Sequence, residues 1–374
     1  DYGRPNRIDK NNREITRPST VIYSEQLVPE TFINGLSSVF DTNFETYENK
    51  YGGIQKMYAK DQRLILFQEL KVGAIPVSQN VFAGTQGGSV VGTSTQILSP
   101  TAQYYSGEFG IGKNPESFAV YANSIYFLDM LRCTPIRLGQ DGLISLAETG
   151  KMNDYFIKKC SSALVLPFQL KVYGVFDVEF GEYIVSFEDV PTVYQGETVA
   201  FDEGNNIFSS FYSYLPENMC SNSGGIVTFK DGNLWTHNSN NTQNNFYGNQ
   251  YTSDIWMVLN ENPMNVKIFT AIEEDSKDVW EVPSISNDEG QESNLIKSDF
   301  KQTNVAGVYG IEGQQYAAIW KDANTPNVPL GTGLFQGDPM RSRAFRIKLK
   351  YSGTDKSKLF SVNLRYIISN LHAR

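Results

Sequence analysis

Short segments rich in apolar residues recur along the chain, separated by charged or glycine-containing turns. Three pairs of such segments, at 63–73, 124–138 and 225–237, each join two β-branched or aromatic stretches through a turn. A fourth segment covers 181–187. Successive members begin roughly 60, 60 and 45 residues apart, which is close to the length of a propeller blade. The pattern predicts antiparallel, blade-like sheets.

The stretch 118–146 contains the most complete example of this pattern. Short strands are expected at 118–121, 125–128, 134–138 and 143–146. A blade of a propeller consists of four short antiparallel strands, which this stretch supplies within about thirty residues.

The last part of the chain predicts longer strands. Apolar and polar residues alternate over 343–351 and again over 359–366, which indicates a hairpin with one buried face. A second strand pair is expected at 255–259 and 266–271. The polar and acidic stretch 283–302 is interpreted as a linker.

Two further segments differ from this strand pattern. The stretch 153–164 predicts a helix, with Asn153 as a possible cap and Pro167 beyond its end. The small-residue stretch 83–95 lacks a Gly-Lys-Ser/Thr motif and is not followed by a helical pattern, as a phosphate-binding loop requires. It is interpreted as an exposed loop or arm that contacts a neighbour.

These patterns together predict an all-β protein. It has β-propeller-like blades plus a C-terminal antiparallel β-sheet or sandwich, with one or two short helices. Three regions are expected: a strand-rich N-terminal region with the Gly-rich loop at 1–100, propeller-like blades at 101–282, and a linker with the C-terminal β-hairpin at 283–374.

Length and charge narrow the function classes. A chain of 374 residues can form two or three cores, and no stretch approaches the ~18 apolar residues that a membrane helix needs, so no membrane insertion is expected. A net charge of −9 argues against sequence-independent nucleic-acid binding by the whole surface. Because the chain starts at Asp1, we expect a piece of a larger polypeptide.

Basic residues are concentrated near the C-terminus. They are expected to face outward or to contact an acidic neighbouring subunit, with 273–293 as the acidic complement; a nucleic-acid contact is the less favoured alternative. These residues are Arg341, Arg343, Arg346, Lys348, Lys350, Lys356, Lys358, Arg365 and Arg374.

Three cysteines lie far apart and are odd in number. No disulfide framework is therefore expected, and Cys133, Cys160 and Cys220 are each predicted to be small buried apolar residues in a protein that folds in a reducing cytoplasm.

The residues that could carry chemistry are few. His237 and His372 are the only histidines, so a Ser-His-Asp triad or a multi-histidine metal site is not expected. No catalytic, cofactor-binding or metal-binding residues and no cofactor are predicted. The Asp-Gly steps at 141–142 and 231–232 are interpreted as hairpin turns, because the alternating oxygen ligands of a calcium loop are missing.

Neighbouring acidic residues and aromatic clusters each allow a functional interpretation beside a structural one. A glycosidase needs two carboxylates at a set separation, but the neighbouring acids are interpreted as solvated turns. The aromatic clusters could stack on sugars, although core and cross-strand pairing is favoured. The acidic groups are Glu179 with Glu182, Glu188 with Asp189, and 273–275; the aromatic groups are Tyr104-Tyr105, 211–214 and Phe246-Tyr247.

Several segments, in order and over most of the chain, resemble one family. They are Arg17-Pro18 to Tyr23-Ser24, Ile33-Asn34-Gly35-Leu36-Ser37, Tyr51-Gly52-Gly53-Ile54-Gln55-Lys56, Phe67-Gln68-Glu69-Leu70-Lys71-Val72-Gly73, Gly107-Glu108-Phe109-Gly110-Ile111-Gly112, Asn114-Pro115-Glu116-Ser117, Arg137-Leu138 through Asp141-Gly142, Phe229-Lys230-Asp231-Gly232-Asn233-Leu234-Trp235, and 343–368. They are similar to the C-terminal portion of the tail muzzle, or stabilisation, protein of crAss-like bacteriophages, which is a virion structural protein.

The resemblance implies a structural role at the distal end of a short phage tail, around the DNA exit channel. It implies a ring of identical subunits with sixfold symmetry, contacts with other tail proteins, passing contact with DNA, and assembly in the bacterial cytoplasm. The family offers no catalytic residues to carry over. Two alternatives are a receptor- or glycan-binding module of the tail and, less favoured, a polysaccharide-degrading propeller enzyme.

Overall fold

The computed structural model describes residues 16–25, 34–83, 89–222, 225–302, 314–329 and 332–369. The chain forms two compact units, Asp1–Asn238 and Ser239–Arg374. The predictions for Asp1, His372 and Arg374 fall outside the described residues. None of the described helices is long and apolar enough to cross a membrane.

Within its described residues, the first unit consists mainly of consecutive antiparallel strands and two α-helices. The helices are α1 (Leu146–Thr149) and α2 (Asn153–Leu164). The strands are β1 (Thr20–Ile22), β2 (Phe44–Thr46), β3 (Ile54–Lys60), β4 (Arg63–Gln68), β5 (Val72–Ala83), β6 (Ser89–Leu98), β7 (Gln103–Tyr104), β8 (Ala119–Tyr121), β9 (Ser124–Asp129), β10 (Thr134–Gly139), β11 (Gly142–Ser145), β12 (Val172–Asp177), β13 (Glu182–Phe187), β14 (Glu197–Asp202), β15 (Ile207–Tyr212), β16 (Asn218–Asn222), β17 (Gly225–Lys230) and β18 (Asn233–Thr236).

Most of these strands pair with the next one along the chain. The first sheet is β3-β4-β5-β6, with β7 also paired to β5; the second is β8 to β11, the third β12 to β15, and the fourth β16 to β18. The predicted strand pairs at 63–73, 124–138 and 225–237 are confirmed. The four strands predicted within 118–146 form the second sheet. The predicted blade-like pattern of four short antiparallel strands is therefore confirmed.

The turns explain why the strands follow one another so closely. Lys230 pairs with Asn233, and the two residues between them, Asp231 and Gly232, both have positive φ, 52° and 74°. Positive φ at both central residues is the type I′ turn, whose twist matches a two-residue hairpin. The predicted hairpin turn at 231–232 is confirmed.

Successive sheets pack face to face through aromatic side chains. Phe67 of the first sheet lies edge-on to Phe127 of the second, with ring centroids 5.3 Å apart. Tyr121 of the second sheet stacks on Phe176 of the third at 4.1 Å. These contacts lie inside two cores that contain mainly fully buried residues, and they hold the sheets as a rigid stack.

A glycine allows the second and third sheets to approach closely. A Cβ atom on Gly174 of β12 would collide with the carbonyl oxygen of Ser117, just before β8. The same carbonyl accepts a hydrogen bond of 2.6 Å from the buried hydroxyl of Tyr183 on β13. The backbone of one sheet is thereby fixed against the next.

Helix α2 packs against this stack. Its bounds are those of the predicted helix, and Phe156, Cys160 and Ala163 are buried in the core between the second and third sheets. The predicted cap is wrong: Asn153 is the first helical residue, and Met152 precedes it without a side-chain capping bond.

The Gly-rich stretch is a strand over much of its length, so the prediction of a loop over 83–95 is wrong there. Strands β5 and β6 pair from Gln79–Thr93 to Ala83–Ser89. The sequence 90–95 contains two valines and two threonines, whose branched Cβ atoms favour extended backbone. Residues 84–88 lie outside the described part of the chain.

The second unit is built mainly of two antiparallel sheets. Its elements are β19 (Asn245–Phe246), β20 (Asn249–Gln250), β21 (Ser253–Leu259), β22 (Lys267–Ser276), β23 (Glu281–Ser286), β24 (Glu292–Leu295), β25 (Lys301–Gln302), β26 (Gln314–Ala318), α3 (Gly333–Gln336), β27 (Arg341–Ser342), β28 (Phe345–Tyr351) and β29 (Leu359–Ile368). The β28 sheet has the order β21-β28-β23-β24, and the β22 sheet has the order β25-β26-β22-β27 with β29 also paired to β22.

The two sheets pack as a sandwich. Phe269 on β22 lies edge-on to Phe345 on β28, with ring centroids 4.3 Å apart. The shared core includes Ile272 and Leu364 from one sheet and Ile347 from the other. Alternating strands whose inner faces meet in one core are the pattern of a β-sandwich.

Three sequence interpretations in this unit are wrong. The strands expected to form a C-terminal hairpin, β28 and β29, exist but belong to different sheets. The strands β21 and β22 likewise pair with β28 and β29 instead of with each other. The expected linker 283–302 contains most of β23 and all of β24, which extend the β28 sheet.

The predicted fold class is confirmed. The described residues form blade-like antiparallel sheets, a C-terminal sandwich and the short helices α1, α2 and α3. The division into 1–100, 101–282 and 283–374 stays a prediction.

Candidate functional site

His237 follows β18 and is held as a neutral structural residue. Its Nε2 lies 2.9 Å from the hydroxyl of Thr228, and its ring lies 4.6 Å from the ring of Tyr214. Burial lowers the pKa of His237 to about 4, because the charged imidazolium loses its hydration. A general base would instead need a pKa near neutrality, so this geometry fits packing better than proton transfer.

The neighbouring carboxylates are separated by the sheet structure. Glu182 is buried and accepts hydrogen bonds from Ser209 (2.5 Å) and Tyr212 (2.8 Å). Glu179, three residues earlier, accepts instead from the Asn238 side chain at 3.1 Å. The two side chains therefore have different partners and form no shared acid/base pair.

The acidic group at 273–275, which was also predicted to be a solvated turn, contains a buried carboxyl. Glu274 on β22 is fully buried, and one of its oxygens accepts the backbone N–H of Trp280 at 3.0 Å. Burial raises the pKa of Glu274 to about 7, only partly opposed by that hydrogen bond. Sequence reasoning missed this residue, although Glu274 is two positions after the buried Ile272 and so shares its inward face in a strand.

The acids at 188–189 bind backbone N–H groups. Asp189 accepts the backbone N–H of Gly196 at 2.8 Å, and Glu188 accepts that of Lys171 at 3.1 Å. Within the described part of the chain no group of three His, Cys, Asp or Glu side chains is placed to hold a metal ion.

A buried lysine is the second feature that sequence reasoning missed. Lys267 at the start of β22 is fully buried, and its Nζ donates to the carbonyl oxygens of Glu261 and Asn262, the latter at 3.2 Å. Its ammonium also lies 5.5 Å from the centre of the Tyr366 ring. Carbonyl oxygens and an aromatic face replace its hydration, and the loop from β21 to β22 is held in place.

Some of the C-terminal basic residues form ion pairs inside the second unit. Arg365 lies 3.3 Å from Glu273, and Arg346 lies 2.9 Å from Asp288. The acidic stretch 273–293 therefore does complement the basic residues, but for these two pairs the contact is within one chain.

The cysteines differ in environment. Cys133 and Cys160 are buried in the core beside α2, and burial raises the pKa of both thiols. Cys220 on β16 is exposed, so the prediction that all three are buried is wrong for it.

The aromatic clusters mainly pack on one another and on the core. Tyr104 lies 4.6 Å from Tyr51 and donates to the side chain of Gln68 at 3.0 Å. Tyr212 stacks on Tyr214 at 5.2 Å. The two contacts agree with packing inside the protein, although neither of them joins residues on two paired strands.

One cavity of about 340 Å³ lies beside the C-terminal end of α2 in the first unit. Its lining is mainly apolar, with Met130, Leu164 and Phe168 among the side chains. Glu69 is the one carboxylate that lines it. Cleavage of a glycosidic bond by the usual route needs two carboxylates, which this lining does not supply.

The comparison with protein families decides what kind of protein this is. The model of the Crassvirus muzzle protein matches residues 6–232, and that of the Crassvirus muzzle protein C-terminal domain matches residues 241–318. The chain belongs to the Crassvirus muzzle protein family. The search of the curated proteins found no match.

Membership in the muzzle protein family supports a structural role in a phage virion. The resemblance drawn from the sequence segments is thereby confirmed. The match to the muzzle protein model ends within the first compact unit and the C-terminal domain match lies in the second, so the two models follow the division of the fold. Association with other tail components follows from this role.

Proposed function

We propose that this chain is a non-catalytic structural subunit at the distal end of a short phage tail. Identical copies form a closed ring, of sixfold symmetry, around the channel through which DNA leaves. The observation that carries the proposal is the pair of family matches, which together extend from residue 6 to residue 318 with a short gap.

The architecture suits a rigid wall. Stacked sheets with fully buried aromatic side chains resist deformation, because each interior is close-packed and locked by contacts such as Tyr183 to Ser117. A structural role without catalysis agrees with two observations. His237 is held neutral, and Glu69 is the single carboxylate that lines the cavity.

The charge suits a channel that DNA passes without binding. The chain carries a net charge of −9, and the ion pairs of Arg346 and Arg365 balance two of the basic residues. Tight DNA binding needs unbalanced Lys and Arg side chains that displace counterions from phosphates. A subunit of net negative charge disfavours lasting contact with DNA.

Localisation in purified virions tests the proposal. An antibody against the 374-residue chain, detected with gold particles, should label the free end of the tail in electron micrographs. Label on the capsid, or a virion preparation that lacks the chain by mass spectrometry, would contradict it. Contact with a host-surface glycan is a separate proposal, which a glycan array with the purified chain tests. Fractionation of infected cells tests assembly in the bacterial cytoplasm.

A further inference from the structure

The cavity beside α2 has walls that hydrogen bonds hold in place. The backbone N–H of Gly112 donates to the carbonyl oxygen of Glu69 at 3.1 Å. On another side, the side-chain amide of Gln169 donates to the carbonyl oxygen of Lys113. The segments that surround the cavity are thereby tied to one another, so the cavity is preformed, as ligand pockets usually are.

A buried carboxylate fixes a further part of the wall. Met130 and Leu131, which line the cavity, directly follow Asp129 at the end of β9. Asp129 is fully buried and accepts the backbone N–H groups of Gly110 and Leu131, each at 3.0 Å. A wall that is already ordered lowers the entropy cost of holding a ligand.

Asn114 is a polar residue of the wall whose side chain has an unused acceptor. It is 3% exposed, and its Oδ1 has no hydrogen-bond partner among the described residues. Asn114 precedes the 3₁₀ turn 115–117, where an asparagine side chain often caps the backbone, but it makes no capping bond. The backbone N–H and the hydroxyl of Ser117 donate instead to its main-chain carbonyl. A buried acceptor without a donor costs stability, so a donor brought against this wall is favoured.

The rest of the lining favours a neutral, mainly apolar ligand. Leu170 is buried in the wall, and Leu164 and Phe168 are partly exposed. The two charged residues of the lining, Glu69 and Lys113, have opposite signs. A charged ligand would lose hydration here without an excess of opposite charge to compensate it.

The volume indicates a ligand of about two fused rings. An apolar cavity of about 150 Å³ can hold benzene, and this cavity has about 340 Å³. Because Asn114 is almost fully buried, its donor has to enter the cavity. The main-chain N–H of a partner protein would stay outside, which favours a free small molecule over a docked protein segment.

We propose that this cavity is a binding site for a small neutral molecule with an apolar ring system and one hydrogen-bond donor. The rings contact Leu170, Leu164 and Phe168, and the donor binds the side-chain oxygen of Asn114. The site lies wholly within the first unit, so the inference does not depend on the proposed ring of subunits.

Two probes of nearly equal shape test the role of the donor. Indole has a ring N–H where indene has a CH₂ group. Ligand-observed NMR titration of the full 374-residue chain gives the dissociation constant of each probe. We expect indole to bind at least tenfold more tightly than indene, and to raise the unfolding temperature of the first unit because it binds only the folded state.

Three variants locate the site. Asn114→Leu removes the acceptor at similar side-chain size, so indole should bind at least tenfold more weakly while the affinity for indene does not fall. Leu164→Lys places an ammonium beside the cavity and should weaken both probes. Ile157→Lys is its matched control, since both residues lie on α2 with exposures of 46% and 52%, but Ile157 does not line the cavity. Circular dichroism and urea unfolding check that each variant is folded.

Several results would overturn the inference. Equal affinities of the wild-type chain for indole and indene would show that the Asn114 oxygen is satisfied without a ligand, for example by water. No binding of either probe at millimolar concentration, undiminished indole binding by Asn114→Leu, or equal effects of the two lysine variants would exclude the site. Displacement of indole by a purified tail protein would show that the cavity is a protein contact instead. None of these results changes where the chain lies in the virion, which the labelling experiment tests separately.

Discussion

Arg365 and Glu273 lie on neighbouring strands of the β22 sheet, with Nη2 of the arginine 3.3 Å from Oε2 of the glutamate. The arginine side chain is 66% exposed and the glutamate 18%. The pair shows that the acidic and basic stretches of the C-terminal unit meet inside one chain.

This ion pair should contribute little to stability. Exposed pairs gain modest Coulomb energy and are screened by salt, so a double-mutant cycle with Arg365→Ala and Glu273→Ala should give a coupling of about 0.2–1 kcal/mol. Urea unfolding at low and high salt measures it, and the coupling should shrink at high salt. A coupling above about 3 kcal/mol would contradict the assignment of an exposed pair.

Phe345 should be a stability determinant of the sandwich. It is 1% exposed and lies between the two sheets against Phe269. Phe345→Ala should lower the free energy of unfolding by about 3–5 kcal/mol, because it removes buried apolar surface and leaves a cavity. The matched control is Phe360→Ala, whose side chain is 70% exposed and which should change the stability of the unassociated chain by less than about 1 kcal/mol. Equal losses in the two variants would contradict the sandwich packing.

Glu274 should make the second unit less stable as pH rises. Its pKa is about 7 in the folded chain and near its ordinary value of 4.5 when unfolded, so the folded state binds the extra proton between these values. Stability from this group is complete below about pH 4.5 and falls up to about pH 7, by on the order of 3 kcal/mol.

The variant Glu274→Gln separates this contribution from other titrations. Its amide oxygen can still accept the hydrogen bond from the Trp280 N–H. The amide does not titrate, so the variant neither gains nor loses a proton at this position. We expect the variant to be more stable than wild type at pH 8 and to approach wild type at pH 4, as measured by hydrogen exchange in β22. A difference that stays constant from pH 4 to pH 8 is the result that would exclude this linkage.

Thiol reactivity should distinguish the three cysteines. Cys220 is exposed, whereas Cys133 and Cys160 are buried with raised pKa values that disfavour the reactive thiolate. A thiol reagent should modify one site per native chain quickly and three after denaturation, and Cys220→Ser should remove the fast reaction. Fast modification of Cys160 in the native chain would contradict the packing of α2.

The sequence predicted strands better than it predicted their partners. Alternation over 343–351 and 359–366 shows which side chains face inward, and both segments are strands. The alternation does not show which strand lies alongside. The two neighbouring segments were therefore expected to form a hairpin, although β28 and β29 belong to different sheets. In the first unit, by contrast, tight turns such as 231–232 force adjacent segments to pair.

Buried polar residues inside strands were also not predicted from the sequence. Glu274 lies between two acids, and local composition hid its inward position. That the chain has no catalytic residues stays a prediction from the shortage of histidines. Which strands end each sheet could not be predicted from the sequence. Such edges are a property of topology, which no local pattern encodes.

A cryo-electron microscopy map of the intact tail would show directly whether this chain forms the ring at its free end. We expect the blade-like sheets and the sandwich to fit density there, in identical copies that form a ring around the channel. Density at the tail end that this fold cannot fit, or the chain found as separate copies elsewhere in the particle, would contradict it.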